Sequence, residues 1–158
     1  MADMPPAFDF GSKKAEIRVY PTSNSAALAC ATTPAANANP SADLAAVTKS
    51  CADGTKLHAV GPASSGTQKP DAVAQKFPFA AQAGHCYRAY GSAAATVTDF
   101  SIFILDSTGA TAARGHTDAG RVAAPSDGTL CFHDADNANV IVTVGRGSGA
   151  FAVQIWSD

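Results

Sequence analysis

The densest group of chemically capable side chains in this 158-residue chain is His133-Asp134-Ala135-Asp136-Asn137. A second stretch upstream, GHTDAG, adds His116 and Asp118. Brought together, His116, Asp118, His133, Asp134 and Asp136 would offer two imidazoles and three carboxylates, a donor set suited to zinc, copper or calcium. Their spacing matches no closed metal motif. Runs of Asp and Asn are also what a chain uses for Asx-turns before a new strand. The turn is the favoured reading, and no cofactor is expected.

Other chemistries find less support. A nucleophilic Ser or Cys needs a base and a strained turn to hold it. No G-x-S-x-G elbow occurs, and Gly147-Ser148-Gly149 lacks the frame of one. Asp99 and Asp106 bracket one strand. At about 3.3 Å per residue they stand more than about 20 Å apart, too far to act as a paired acid and base. The stretch GRGSG at 145–149 lacks the Lys-Ser/Thr ending of a phosphate loop and leads into no helix, so it reads as a hairpin turn. Trp156, Tyr87, Tyr90 and Tyr20 are candidates for a sugar-binding or protein-binding surface, with Trp156 and Tyr90 the candidate exposed contacts and core or interdomain packing the commoner fate. Trp156 alternates out of phase with Phe151, Val153 and Ile155, which places it on the opposite face of its strand, exposed or under a helix.

Composition bounds the molecule that must position these groups. A mass of 15.9 kDa fits one domain. Only 15% of residues are charged, and 11 Lys+Arg against 13 Asp+Glu leave a net charge of -2. So few cations cannot build a phosphate-neutralising face, and no nucleic-acid partner is expected. No apolar run approaches the roughly 20 residues of a membrane span. Glu16 is the only Glu, whereas Asp is frequent, and 13 Gly and 9 Pro add further turns. The chain reads as mostly β.

Cys30, Cys51, Cys86 and Cys131 include no C-x-x-C pair, which leaves zinc-ribbon and thioredoxin-like readings unsupported. An even count in a small, turn-rich chain suits two disulfides formed outside the cytoplasm. Three pairings remain open. The favoured one joins Cys30 to Cys51 across a short loop and Cys86 to Cys131 between strands. The N-terminus MADMPPAF is not a signal peptide, so a secreted, periplasmic or cell-surface location implies an export signal removed or not part of this chain.

One domain over 1–158 is expected in three parts. Residues 1–20 form an extended arm and a first strand at Glu16–Tyr20. Residues 21–70 are loops, with a strand at Lys56–Val60 and a short helix at 41–51 that starts on Ser41 as N-cap and buries Leu44 and Val47. Residues 72–157 form the sandwich core, with strands at Val73–Phe79, 85–90, Val97–Asp106, Thr129–His133, Asn139–Val144 and Ala150–Trp156. Val97–Asp106 is apolar on both faces, Phe100/Ile102/Ile104 and Phe103/Leu105, as in a central strand or one at an interface. About eight strands spaced by turns indicate an antiparallel sandwich.

Residues 77–156 resemble the pre-peptidase C-terminal domains, jelly-roll β-sandwich modules attached to many exported bacterial enzymes. The matching pieces are AGHCYRAY at 83–90, TDFSIFILDSTG at 98–109, TLCFHD at 129–134 and GSGAFAVQIW at 147–156. The family's central motif falls on Asp99, Phe100, Ile102, Ile104, Asp106 and Gly109, and its last strand on Gly149, Phe151, Val153 and Ile155. Ser101 stands where a second Asp is expected and Ser107 where a turn Pro is expected. In residues 56–80 Asp71 is the only acid available for the calcium sites of some relatives. The resemblance therefore implies fold and export without metal binding or catalysis, and it places Cys86 and Cys131 on strands that cysteine-bearing relatives bridge.

The expected function is a non-catalytic exported module with a binding or accessory role toward a protein or glycan surface. The alternative is a self-assembling filament or surface-layer subunit whose arm, through Phe8, Phe10, Ile17 and Val19, adds as a strand to a neighbour.

Overall fold

The structure, a computed structural model, describes residues 17–20, 39–52 and 55–158. These residues form eleven strands and one helix. They are β1 (Ile17–Tyr20), α1 (Pro40–Ala52), β2 (His58–Ala59), β3 (Ser64–Gln68), β4 (Gln75–Ala81), β5 (Cys86–Ala93), β6 (Val97–Leu105), β7 (Thr111–Thr117), β8 (Arg121–Ala124), β9 (Thr129–Phe132), β10 (Asp136–Gly147) and β11 (Gly149–Ser157). All pairings are antiparallel, in a seven-stranded and a four-stranded sheet. The all-β sandwich expected from composition is the fold.

Three strands exceed the eight expected: β3, β7 and β8. Two of them share a row with another short strand. β8 and β9 both pair with one edge of β5, and β2 and β3 both pair with the far edge of β11. The breaks between them contain Pro125 and Pro62, which have no N–H to offer a ladder. The remaining order runs β1-β9-β5-β11-β2 in the larger sheet and β4-β10-β6-β7 in the smaller.

The core lies between the sheets. β6 contributes Phe100, Ile102 and Ile104, β10 contributes Val140, Val142 and Val144, and β11 contributes Phe151, Val153 and Ile155. Each set occupies alternate positions, the period-two pattern of a strand with one face inward. In β6, whose two faces are both apolar in sequence, the inward one is Phe100/Ile102/Ile104. Phe79, Tyr87 and Phe132 contact one another edge-on or tilted, with centroids 5.3–6.4 Å apart, and Phe77 meets Phe151 edge-on at 5.9 Å.

Two strand expectations are corrected. β10 and β11 do not form a hairpin, because they belong to different sheets and pair with different partners. GRGSG is the point where the chain crosses the sandwich. Gly147 takes φ 72°, and a Cβ there would lie 1.9 Å from the Thr96 carbonyl oxygen, so this close crossing needs glycine. The strand covered on both faces is β5 rather than β6. All of β5 except Cys86 is buried, whereas Phe103 and Leu105 of β6 remain half-buried on the outer face of the smaller sheet.

A second layer explains why β5 is buried twice. Leu44, Val47 and Cys51 on one side of α1 pack against Tyr90, Ala123 and Ala152 on the outer face of the larger sheet, with Trp156 at the margin. The N-cap lies two residues earlier than the expected Ser41. Asn39 is the N-cap, its Oδ1 accepting from the Ser41 and Ala42 amides at 3.1 and 3.2 Å, and Pro40 takes the first helical position.

Cys86 and Cys131 stand directly opposite each other in the β5–β9 register and form a disulfide. Cys51 is disulfide-bonded as well. Cys30 lies outside the described residues, as do Phe8 and Phe10. Ile17 and Val19 pair with Phe132 and Leu130, so β1 completes an edge of its own sheet. The Ile17 and Val19 part of the proposed arm is thus paired within its own chain. At the edge of the smaller sheet, β4 exposes Lys76 and Pro78, two residue types that discourage strand addition.

Candidate binding site

The helix is pinned to the sheet by a buried ion pair. Asp43 sits on the inward stripe of α1, four residues before Val47, and is 2% exposed. Its carboxylate accepts from Arg121 Nε at 2.9 Å, from Arg121 Nη2, and from Ser92 Oγ at 2.7 Å. This two-pronged contact is the geometry a guanidinium offers a carboxylate. The hydrogen bond to Asp43 raises the Arg121 pKa above its ordinary value, burial opposes this, and the charge of Asp43 adds to the rise.

Beside that anchor, α1 and the last strand leave a cleft of about 600 Å³. One wall is helix, with Ser41, Leu44, Ala45, Thr48 and Lys49. The other comes from Leu57, His58 and Ala59 around β2, from Ala63, and from Gln154 and Trp156 of β11. Its volume lies within the few hundred to one thousand Å³ usual for ligand sites. Trp156, the chain's single tryptophan, is half-buried and meets Tyr90 edge-on at 6.3 Å. Its indole N–H donates to Gln154 Oε1 at 3.2 Å, and Gln154 Nε2 donates to the Gly61 carbonyl at 3.1 Å. These bonds fix the ring in place as a wall. Trp156 thus packs under the helix, one of the two positions its alternation allowed.

Tyr90 is not an exposed contact. It is 1% exposed beneath α1, and burial pushes its phenol above the ordinary value of 10.0, partly offset by the adjacent Arg88 guanidinium. Arg88 is itself fully buried, 5.3 Å from the Tyr90 ring centroid. Its Nε and Nη2 donate to the Pro125 and Ser126 carbonyls, which ties down the turn between β8 and β9, while Nη1 has no hydrogen-bond partner. Tyr87 is buried in the sandwich core.

The five residues of the metal set are not brought together. His116 is level with Ser101 and hence with Thr143 in the smaller sheet. Asp136 lies seven residues further along β10, about 23 Å at strand rise. There its Oδ2 accepts from the Ser107 amide at 3.0 Å, while His133 and Asp134 contact each other at 3.3 Å. Asp136 thus braces the turn between β6 and β7. Asp106 does the same, with Oδ1 accepting from the amides of Thr108 and Ala110. Among the described residues no group of three or more His, Cys, Asp or Glu is arranged to hold a metal ion.

His116 does gather a cluster on the outer face of the smaller sheet. Its Nδ1 is 3.0 Å from Ser101 Oγ and 3.4 Å from Asp99, and its Nε2 is 3.3 Å from Asp118. The two carboxylates thus sit at opposite edges of one imidazole and cannot converge on a single ion. Ser101 resembles a nucleophile beside a base only superficially. It lies in mid-strand between β10 and β7, so the backbone amides around it are committed to the ladder and none is aimed at a developing oxyanion.

No family model matches this chain, and neither a curated protein nor a solved structure does. Among the described residues no helix is long and apolar enough to cross a membrane. Sequence reasoning missed Lys49 and His58 as cleft residues and Asp43 as the anchor of α1. Only Asp43 left a signal, as an acid on the otherwise apolar stripe of a short helix.

Proposed function

We propose that this protein is a non-catalytic, exported β-sandwich module of the bacterial envelope or extracellular space, of the pre-peptidase C-terminal type, and that it binds a small ligand in the cleft between α1 and Trp156. The observation that carries this reading is the cleft itself, which has an apolar floor, a fixed indole wall and a polar rim on an ion-paired helix. The Cys86–Cys131 disulfide supports an oxidising compartment.

Because Trp156 is the only tryptophan, its fluorescence reports on the cleft without labelling. Titration with a panel of mono- and oligosaccharides, aromatic acids and fatty acids is expected to give a saturable change with at least one class. A panel that moves neither the emission nor the thermal midpoint would remove the reading. Self-assembly through the N-terminal arm is the less favoured function, since β1 pairs within its own chain. Light scattering of the oxidised protein is expected to show a monomer near 15.9 kDa at every concentration. A larger, concentration-dependent species would restore the assembly reading.

A further inference from the structure

We infer that the cleft beside Trp156 selects a small amphiphilic carboxylate, an apolar chain carrying one negative charge, over a glycan or a neutral apolar molecule. The inference rests on the binding reading above and narrows it to a ligand class. Several polar groups of the lining are already engaged. Gln154 accepts from the Trp156 indole and donates to the Gly61 carbonyl. Thr48 donates its hydroxyl to the Leu44 carbonyl at 2.9 Å, and Thr55 Oγ1 accepts from the Leu57 amide at 3.3 Å. A sugar is held by several amides, carboxylates and hydroxyls turned toward its hydroxyl groups. In this cleft Gln154, Thr48 and Thr55 are engaged with the protein, which leaves Ser41 as the one uncommitted neutral hydroxyl beside the Lys49 and His58 side chains.

Charge completes the argument. The lining contains the Lys49 ammonium and the His58 imidazole and no Asp or Glu. Lys49 stands in the last turn of α1 and shares the lining with the apolar side chains of Leu44, Ala45 and Leu57 and the indole wall of Trp156. The site is therefore an apolar trough with a cation at its rim. An alkyl chain would lie along the apolar side chains and the indole, and its carboxylate would meet the ammonium. Burial of successive methylenes supplies affinity while the charge supplies selectivity.

The experiment compares decanoate with 1-decanol, below the micelle concentration, by Trp156 fluorescence and calorimetry on the oxidised full chain. Decanoate is expected to bind about tenfold or more tightly than decanol, a ratio equivalent to one ordinary charge-assisted contact. Lys49→Met keeps a long apolar side chain and removes the charge. It should abolish that preference by weakening decanoate and leave decanol unchanged, with the thermal midpoint of the free protein as the folding control. Equal binding of decanoate and decanol, insensitive to Lys49→Met, would overturn the carboxylate inference and leave the binding cleft standing. A response to saccharides alone would also overturn it while supporting the module reading. Silence from every ligand in both experiments would remove both.

Discussion

Replacing Asp43 by alanine is expected to lower the unfolding free energy by about 3–5 kcal/mol, the usual result of removing one member of a buried ion pair. Arg121 is only 14% exposed at its side chain, and Ser92 is fully buried. Truncation would leave a guanidinium and a hydroxyl facing a hole, without the acceptor that both now share. The loss is local to the contact between α1 and the larger sheet, so the cleft should suffer with it. Urea unfolding followed by circular dichroism gives the stability, and Trp156 emission in the folded baseline reports the wall of the cleft. The emission should shift toward that of an exposed indole. The double variant Asp43→Leu with Arg121→Met should recover much of the lost stability, because two apolar side chains replace the pair without leaving a buried charge. A loss below about 1 kcal/mol for Asp43→Ala would mean that the ion pair does not hold the helix.

The second large effect is expected from the Cys86→Ala, Cys131→Ala double variant. The bridge spans 45 residues of sequence, and the loop-entropy relation for a ring of that size gives about 4 kcal/mol at 25 °C. The two cysteines face each other in register, so the folded sheet needs no rearrangement to form the bond. Removing it should act chiefly on the unfolded chain, and the denaturant slope should increase as that chain expands. Mutation is preferable to a reducing agent here, since reduction would also open the disulfide of Cys51. Unchanged stability and slope would mean that these cysteines are not bridged in solution, and the case for an oxidising compartment would weaken.

How far these features could be read in advance depended on whether their cause was local. The alternation of Val140/Val142/Val144 and Phe151/Val153/Ile155 is a local property, and it identified both strands and their inward faces. The sequences SSGTQ, TAARGHT and RVAA of β3, β7 and β8 carry no such signal. Their strand state is imposed by the partners they pair with, which is how β propensity ordinarily yields to context. β5 shows the same effect on burial. Its Arg88 and Ser92 look like solvent-facing residues, yet both are buried: Ser92 is bonded to Asp43 of a helix from much earlier in the chain, and Arg88 is bonded to the turn between β8 and β9. Conversely, Phe103 and Leu105 look like core residues and line an outer face.

The site was less legible than the fold for the same reason. Lys49, His58 and Trp156 meet only after α1 is laid across the larger sheet, and no spacing rule links residues so far apart. Within the Asp-rich motif, Asp136 reaches across to accept the Ser107 amide in the turn after β6, a long-range bond that no local pattern announces. His116 found Ser101 and Asp99 as cross-strand neighbours fifteen and seventeen positions away. Such neighbours are set by register, and register was not fixed by sequence pattern alone.

The direct test of the cleft beside Trp156 is amide and indole chemical-shift mapping of the isotopically labelled, oxidised protein during titration with decanoate. The expected result is a set of saturable shifts confined to the Trp156 indole N–H, the amides of Leu44 to Lys49 and those of Leu57 to Ala59. Shifts centred instead on Phe103 and Ile141, on the outer face of the smaller sheet, would contradict it by placing the ligand on the opposite side of the sandwich.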